Sequence, residues 1–262
     1  MNAARTVPLS VVDCDAKDRS NRAVARFLQS VMECPQPSQE NATRLDSRRL
    51  AAQSLDAVIG EHGRAVSLLH AAGIVPEEIA WLWPGWLAKG KMHILGGAPG
   101  TGKTTIAMKL AAIVSTGSRW PDGHRAPAGN VVIWSGEDDP ADTLIPRLIA
   151  SGADMTRIWF VGDTNDHGER RAFDPSRDTV ALRHAITEAG GAALLAVDPI
   201  VSAIAGDSHK NAEVRRGLQP LADLASDLGC ALLGITHFSK GTAGREPTER
   251  ITGSLAFGAL AR

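Results

Sequence analysis

Short apolar runs alternate with helix-compatible segments along the chain from about residue 79. Continuous apolar runs are typical of strands buried on both faces, and they predict strands over residues 92–95, 130–135, 158–161, 193–197 and 231–236. The segments between them predict helices over residues 103–115, 140–151, 178–189 and 211–228. This regular alternation predicts an α/β fold with a mainly parallel central sheet flanked by helices.

The first 75 residues have a different pattern. Ala23, Phe27 and Val31 recur at helical spacing, and residues 50–72 are rich in Ala and Leu without an internal Pro, so both stretches predict helices. Between them, the polar and proline-containing run CPQPSQENATRLDS at 34–47 predicts a linker. We therefore predict a small, helical and partly disordered segment over residues 1–75, and a second domain over residues 76–262.

The composition of the chain limits the kinds of partner that we expect it to bind. The 28 Lys and Arg residues against 29 Asp and Glu give a net charge of -1, so contact with nucleic acid would need a local basic patch. The chain has no apolar run of the ~20 residues that span a bilayer and no secretory pattern at its start, which predicts a cytoplasmic protein with no membrane partner. The cysteines, Cys14, Cys34 and Cys230, form no Cys-x-x-Cys pair and are predicted to be reduced thiols.

Three tryptophans precede the first strand of the predicted sheet. Trp81, Trp83 and Trp86 lie in the run WLWPGW. We interpret them as a hydrophobic clasp that holds the incoming segment on the sheet edge. A platform on which nucleic-acid bases stack is the alternative interpretation.

A complete phosphate-binding loop follows the strand predicted at 92–95. The pattern G-x-x-x-x-G-K-[ST] is matched by Gly97, Ala98, Pro99, Gly100, Thr101, Gly102, Lys103 and Thr104. Backbone N–H groups of such a loop and the start of the next helix bind phosphate oxygens. Lys103 is predicted to reach the β and γ phosphates, Thr104 to bind Mg²⁺ and Thr105 to contact the α phosphate. ATP and Mg²⁺ are therefore the predicted cofactors.

Acidic residues end two of the predicted strands. Asp198 follows the apolar run ALLAV and is predicted to orient Mg²⁺ as a Walker B carboxylate, with a turn cap as the alternative. Glu137 follows the strand at 130–135 and is predicted to hold the attacking water as general base. Asp139 precedes Pro140 and is predicted to be a helix N-cap, while the pattern assigns no role to Asp138.

His237 ends the last predicted strand at the same sheet edge, where it is predicted to sense the γ-phosphate and report nucleotide state to the segment after it. That segment, residues 238–250, is rich in glycine and is interpreted either as a loop that grips single-stranded nucleic acid or as an ordinary solvated loop. Its basic residues are Lys240, Arg245 and Arg250. A second basic patch, or equally a solvated helix start, comprises His209, Lys210, Arg215 and Arg216.

The motifs GGAPGTGKTT, WSGEDDPADTLIPRL, LLAVDPI, GITHFSKG and ERITGSLAFGALAR, in this order, resemble the RepA-type AAA/RecA-like ATPases. These are replicative-helicase-like P-loop ATPases of plasmids and prophages, related in core to the DnaB helicases, RadA and KaiC. The resemblance covers about residues 79–262 and implies a RecA-like fold. It implies the same roles for Lys103, Thr104, Glu137, Asp198 and His237 as those predicted above.

The resemblance also implies roles that the residues alone do not. Arg147 would stack on the adenine, and Arg262 would act as an arginine finger in a neighbouring subunit's site, with Arg250 as the second candidate. Because the RecA-like core of these proteins continues with further strands, we expect the domain at 76–262 to be truncated at its C-terminus.

We therefore predict a Mg²⁺-dependent ATPase that works as a hexameric or other ring and couples hydrolysis to translocation along, or remodelling of, single-stranded DNA. Plasmid or phage replication, with other replication proteins as partners, is the expected setting. One alternative is a KaiC-like nucleotide-dependent switch that acts on protein partners. Another is a truncated remnant that binds nucleotide without turnover.

Overall fold

The computed structural model describes His70, Ala71, Ile74, residues 77–204 and 210–239, and Gly244, Arg250, Ile251 and Phe257. The chain divides into two compact units, Met1–Val75 and Pro76–Arg262. Residues 1–69, on which nearly all of the predicted N-terminal helices and linker fall, lie outside the described residues. The second unit holds all the strands and helices discussed below.

The strands are short and follow the apolar runs. Their bounds are β1 Trp81–Trp83, β2 Leu87–Ala88, β3 Met92–Gly97, β4 Val131–Ser135, β5 Ile158–Phe160, β6 Thr164–Asp166, β7 Glu169–Arg171, β8 Leu194–Asp198 and β9 Ala231–His237. The helices are α1 Lys103–Thr116, α2 Ile145–Ser151, α3 Thr179–Glu188 and α4 Asn211–Leu228. In the part of the chain that is described, no helix has both the length and the apolar character needed to cross a membrane.

The helix predicted over 140–151 consists of two pieces. Pro140–Leu144 is a π-helical turn in which the N–H of Ile145 donates to the carbonyl of Pro140, five residues back. Pro146 has no amide hydrogen with which to continue a regular α-helical ladder from that turn. Asp139 caps the turn, as predicted, by accepting from the N–H groups of Ala141 and Asp142.

Five strands form the central sheet, in the order β3-β9-β8-β4-β5, and every neighbouring pair is parallel. Successive residues of β8 face opposite sides: Leu195 and Val197 pack against α3 and α4, whereas Leu194 and Ala196 pack against α1 and α2. Helices on both faces of a parallel sheet explain why its strands are continuous apolar runs. The predicted α/β fold with a RecA-like P-loop sheet is confirmed.

Two hairpins were not predicted, because their strands are too short to show a periodicity. β1 pairs with β2, and β6 pairs with β7, both antiparallel. The base of the β6–β7 hairpin is held by Arg171, whose guanidinium donates to both carboxylate oxygens of Asp178 at 2.6 and 2.7 Å. This pair holds the pKa of Asp178 well below its usual range.

The β1–β2 hairpin corrects the clasp interpretation of the tryptophans. Leu82 and Leu87 are buried against α1, and Trp83 stacks on buried Trp120 with 4.7 Å between ring centroids. In contrast, Trp81 is 37% exposed and Trp86 is 65% exposed. The clasp is therefore centred on the two leucines, Trp83 and Trp120, and Trp86 stacks on Trp83 with 5.4 Å between ring centroids.

Cys230 directly precedes β9. It is a free, buried thiol, and burial raises its pKa to about 12. The prediction of a reduced thiol is confirmed for this residue, while Cys14 and Cys34 lie outside the described residues.

Candidate active site

The carboxyl ends of β3, β4, β8 and β9 meet at one edge of the sheet. Gly97 lies beside His237 in the β3–β9 register, and Ser135 lies beside Asp198 in the β4–β8 register. Polar residues that are far apart in the chain are therefore brought together at this edge. In open parallel sheets, ligands bind outside this edge.

The phosphate-binding loop curls between β3 and α1 because glycines occupy its special positions. Gly100 and Gly102 have φ angles of 73° and 83°, a left-handed conformation that favours glycine. A Cβ at Gly97 would lie 2.8 Å from the hydroxyl oxygen of Thr101. That hydroxyl donates to the carbonyl of Ala98 at 2.8 Å, which closes the loop. Such a loop at the N-terminus of α1 fits the phosphates of a nucleotide.

Lys103 is buried and turns back over the loop. Its Nζ donates to the carbonyls of Gly97 and Ala98, at 3.2 and 3.0 Å, and to Nδ1 of His237 at 3.1 Å. Because an ammonium group can only donate, Nδ1 of His237 is the acceptor in this contact. All three donors of Lys103 are thereby engaged within the site.

Thr104 and Asp198 form the second contact of the site. The Thr104 hydroxyl donates to Oδ2 of Asp198 at 3.0 Å. Burial raises the pKa of Asp198, the Thr104 bond opposes this, and the neighbouring carboxylates of Glu137 and Asp138 raise it further. A bound cation would relieve this cost, so these oxygens fit Mg²⁺. Among the residues described, His, Cys, Asp and Glu form no cluster of three or more that could hold a metal ion, so phosphate oxygens and water would supply the remaining ligands.

Glu137 lies near the second ring nitrogen of His237, Nε2. Its Oε2 is 3.7 Å from Nε2 of His237, and both side chains are about half exposed. His237 thus stands between Lys103 at one ring nitrogen and Glu137 at the other. The structure brings together four of the five predicted catalytic residues: Lys103, Glu137, Asp198 and His237.

Sequence reasoning missed two contacts around Glu137. The Ser135 hydroxyl bonds to both the N–H and the carbonyl of Asp138 at 3.0 Å. Arg147 donates to the Asp138 carboxylate at 3.4 Å. A serine three residues before an aspartate is a known local turn pattern that could have indicated the first contact. The adenine-stacking role of Arg147 stays a prediction.

The other predicted site residues lie at scattered positions or outside the described part of the chain. Thr105 is exposed in the first turn of α1. The guanidinium of Arg250 lies over the ring of Phe238, 4.3 Å from its centroid. Arg215 and Arg216 lie on the exposed face of α4, and Lys210 pairs with Glu213 at 3.3 Å. The residues outside the described ranges are His209, Lys240, Arg245 and Arg262.

Comparison with known proteins gives one family. A family model described as an AAA domain matches residues 61–243, which is more than half of the chain and includes β1 to β9. No curated protein matches the chain.

Proposed function

Because the chain belongs to the AAA domain family, whose members are nucleotide-dependent ATPases, we propose that it is a RepA-type, helicase-like ATPase acting on single-stranded DNA. It would work in a ring of subunits during plasmid or phage replication. The observation that carries this proposal is the chain of contacts from Lys103 through His237 to Glu137. His237 ends β9 immediately before residues 238–250, which carry Lys240, Arg245 and Arg250 together with two glutamates. A change at the phosphates can therefore be passed along the backbone from His237 to this segment.

The chemistry follows from the side chains at the sheet edge. Glu137 accepts the proton of the attacking water, and its half-exposed carboxylate can be reached by that water. Lys103 exchanges its bonds to the loop carbonyls for phosphate oxygens and stabilises the charge that develops there. Thr104 and Asp198 would hold Mg²⁺, which would neutralise phosphate charge when bound.

His237 links the phosphate-binding residue Lys103 to the general base Glu137. When Lys103 turns to a phosphate, Nδ1 of His237 loses its bond to the ammonium group and becomes available to another donor. The ring can then shift relative to Glu137, and this shift would report the nucleotide state to Phe238 and the residues after it. Arg262 of a neighbouring subunit, or else Arg250, completes the stabilisation of the transferred phosphoryl group as a finger.

The proposal is tested by steady-state ATP hydrolysis with and without single-stranded DNA, at low and moderate salt, with Lys103→Ala as the blank. We expect DNA to stimulate hydrolysis and salt to weaken the stimulation, because phosphate contacts release counterions. Activity that is indifferent to DNA would reject the coupling and favour the KaiC-like switch. Activity equal to the Lys103→Ala blank would favour the nucleotide-binding remnant.

The DNA contact can be located with single variants. Lys240→Ala, Arg245→Ala and Arg250→Ala should each weaken DNA stimulation, and Lys240→Ala and Arg245→Ala should leave DNA-independent hydrolysis close to wild type. Arg183→Ala is a matched control, because Arg183 is an exposed arginine on α3 that pairs with Asp227 at 3.0 Å. Equal effects of the control and the three variants would argue against a DNA site at residues 238–250.

A further inference from the structure

Glu137 lies on a turn that a serine hydroxyl closes. Ser135 is the last residue of β4, and its Oγ donates to the carbonyl of Asp138 and accepts from the N–H of Asp138, both at 3.0 Å. The two bonds bracket Gly136 and Glu137. A side chain that satisfies both backbone groups of one residue fixes the path of the chain between them.

The backbone on either side of Glu137 is held as well. The N–H of Gly136 donates to the carbonyl of Asp198 at 2.7 Å, which ties the turn to the end of β8. A Cβ at Gly136 would lie 2.9 Å from the Trp134 ring, so the turn packs closely on that ring. On the other side, Asp139 caps the turn that begins at Pro140. The Glu137 side chain itself is 52% exposed.

We propose that Ser135 is a positioning residue for ATP hydrolysis, because its hydroxyl closes the turn that holds the Glu137 carboxylate beside His237. This inference rests on the proposed function, in which Glu137 is the general base. In this proposal Ser135 acts through the position of Glu137 and not directly on the water or the phosphates. Without its hydroxyl, the Asp138 N–H and carbonyl lose their partner and the turn can open toward solvent.

The expected effect is on the rate of the chemical step. A general base that is displaced by about 1 Å can cost up to about 100-fold in rate, so a loosened turn should cost about ten-fold. We expect Ser135→Ala to lower kcat about ten-fold and to leave KM for ATP within about two-fold, since the phosphate loop is unchanged. Ser135→Thr keeps a hydroxyl and should restore most of kcat. Ser135→Cys keeps the volume but bonds weakly, so it should lose kcat even if the alanine variant folds poorly.

The matched control is Ser115, which makes the same kind of contacts far from the site. Its Oγ donates to the carbonyl of Ala112 at 3.1 Å and accepts from the N–H of Asp154 at 3.0 Å. Ser115→Ala should lower the melting temperature at least as much as Ser135→Ala and leave kcat unchanged. A general loss of stability would instead reduce kcat in both variants.

A double variant separates this inference from the proposed function. If Ser135 acts through Glu137, adding Ser135→Ala to Glu137→Gln should cause no further loss of turnover. Retained turnover in Glu137→Gln would overturn the general base and the inference together. Loss of turnover in Glu137→Gln with wild-type kcat in Ser135→Ala, or no rescue by threonine, would overturn the role of Ser135 alone.

Discussion

The two ends of the central sheet are built from opposite kinds of contact. At the carboxyl end, Lys103 and Asp198 are charged residues that are only 7% and 8% exposed. At the amino end, Gly90 donates to the carbonyl of Cys230 directly before β9, and the β1–β2 hairpin buries Leu82 and Leu87 against α1. One sheet therefore carries buried charge at one end and apolar packing at the other.

The difference shows how this fold accommodates a reactive site. Burial and neighbouring carboxylates raise the pKa of Asp198, so its ionised form destabilises the folded state near neutral pH. Apolar packing at the amino end offsets that cost without contacting the nucleotide site. Changes at the carboxyl end should therefore alter turnover more than stability, and changes at the amino end should do the reverse.

The largest expected effect is the loss of the general base. Glu137→Gln should lower kcat by about 1000-fold while ATP still binds, because removing a positioned base costs roughly 100- to 10,000-fold. The melting temperature should be unchanged or slightly raised, since one of the carboxylates that repel Asp198 is removed. Phosphate release, ATP binding and thermal unfolding measure the three quantities. A large fall in melting temperature would break the contrast between the two ends.

The next largest effect should come from the amino end. Trp120 is 2% exposed and stacks on Trp83, so Trp120→Ala should lower the free energy of unfolding by about 3–5 kcal/mol. ATP affinity of the molecules that remain folded should stay close to wild type. Denaturant unfolding and ATP titration test both statements. Trp159, which is 46% exposed on β5, provides the control: Trp159→Ala should cost substantially less.

Much of this contrast could be predicted from the sequence at the carboxyl end. Parallel strands place their carboxyl ends together, so a polar residue after each apolar run was sufficient to place Asp198, Glu137 and His237 at one edge. The phosphate loop is a local pattern and needs no tertiary information. The contact between Ser135 and Asp138 was missed because a hydroxyl in a loop has many local partners and the tertiary structure selects one.

The amino end was harder to predict for a different physical reason. β1 and β2 together have too few residues to show which side faces the core, so Trp81 and Trp86 could not be distinguished from Trp83. Trp120 lies in a loop beyond α1, and its stacking on Trp83 depends on the packed structure. Strands β6 and β7 are charged and are held by Arg171 and Asp178 rather than by apolar alternation.

Removing the buried charge of Asp198 should have a smaller effect on stability than Trp120→Ala, and it should stabilise the protein rather than destabilise it. Asp198→Asn should raise the free energy of unfolding at neutral pH by a few tenths to about 1 kcal/mol, while hydrolysis is lost. The folded pKa of Asp198 lies above the ordinary aspartate value of 3.8, so the wild type loses stability as pH rises from 3.8 through the folded pKa. Melting temperatures without nucleotide or Mg²⁺ should therefore differ more at pH 8 than at pH 4. A difference independent of pH would reject this explanation.

The smallest expected effect is that of Asp122→Asn at the amino end. The contribution of Asp122 to stability should depend on pH in the opposite direction to that of Asp198 at the carboxyl end. The Trp83 indole N–H donates to the Asp122 carboxylate at 2.7 Å and lowers the pKa of Asp122. This contribution to stability is present above the unfolded value near 3.8 and is lost as pH falls through the lowered folded pKa. Asp122→Asn should lower the melting temperature by about 1 °C at pH 7, and the difference should fade below pH 3.8, because an exposed bond adds little. A difference that grows as pH falls would mean that Asp122 stabilises the hairpin in some way other than as an ionised acceptor for Trp83.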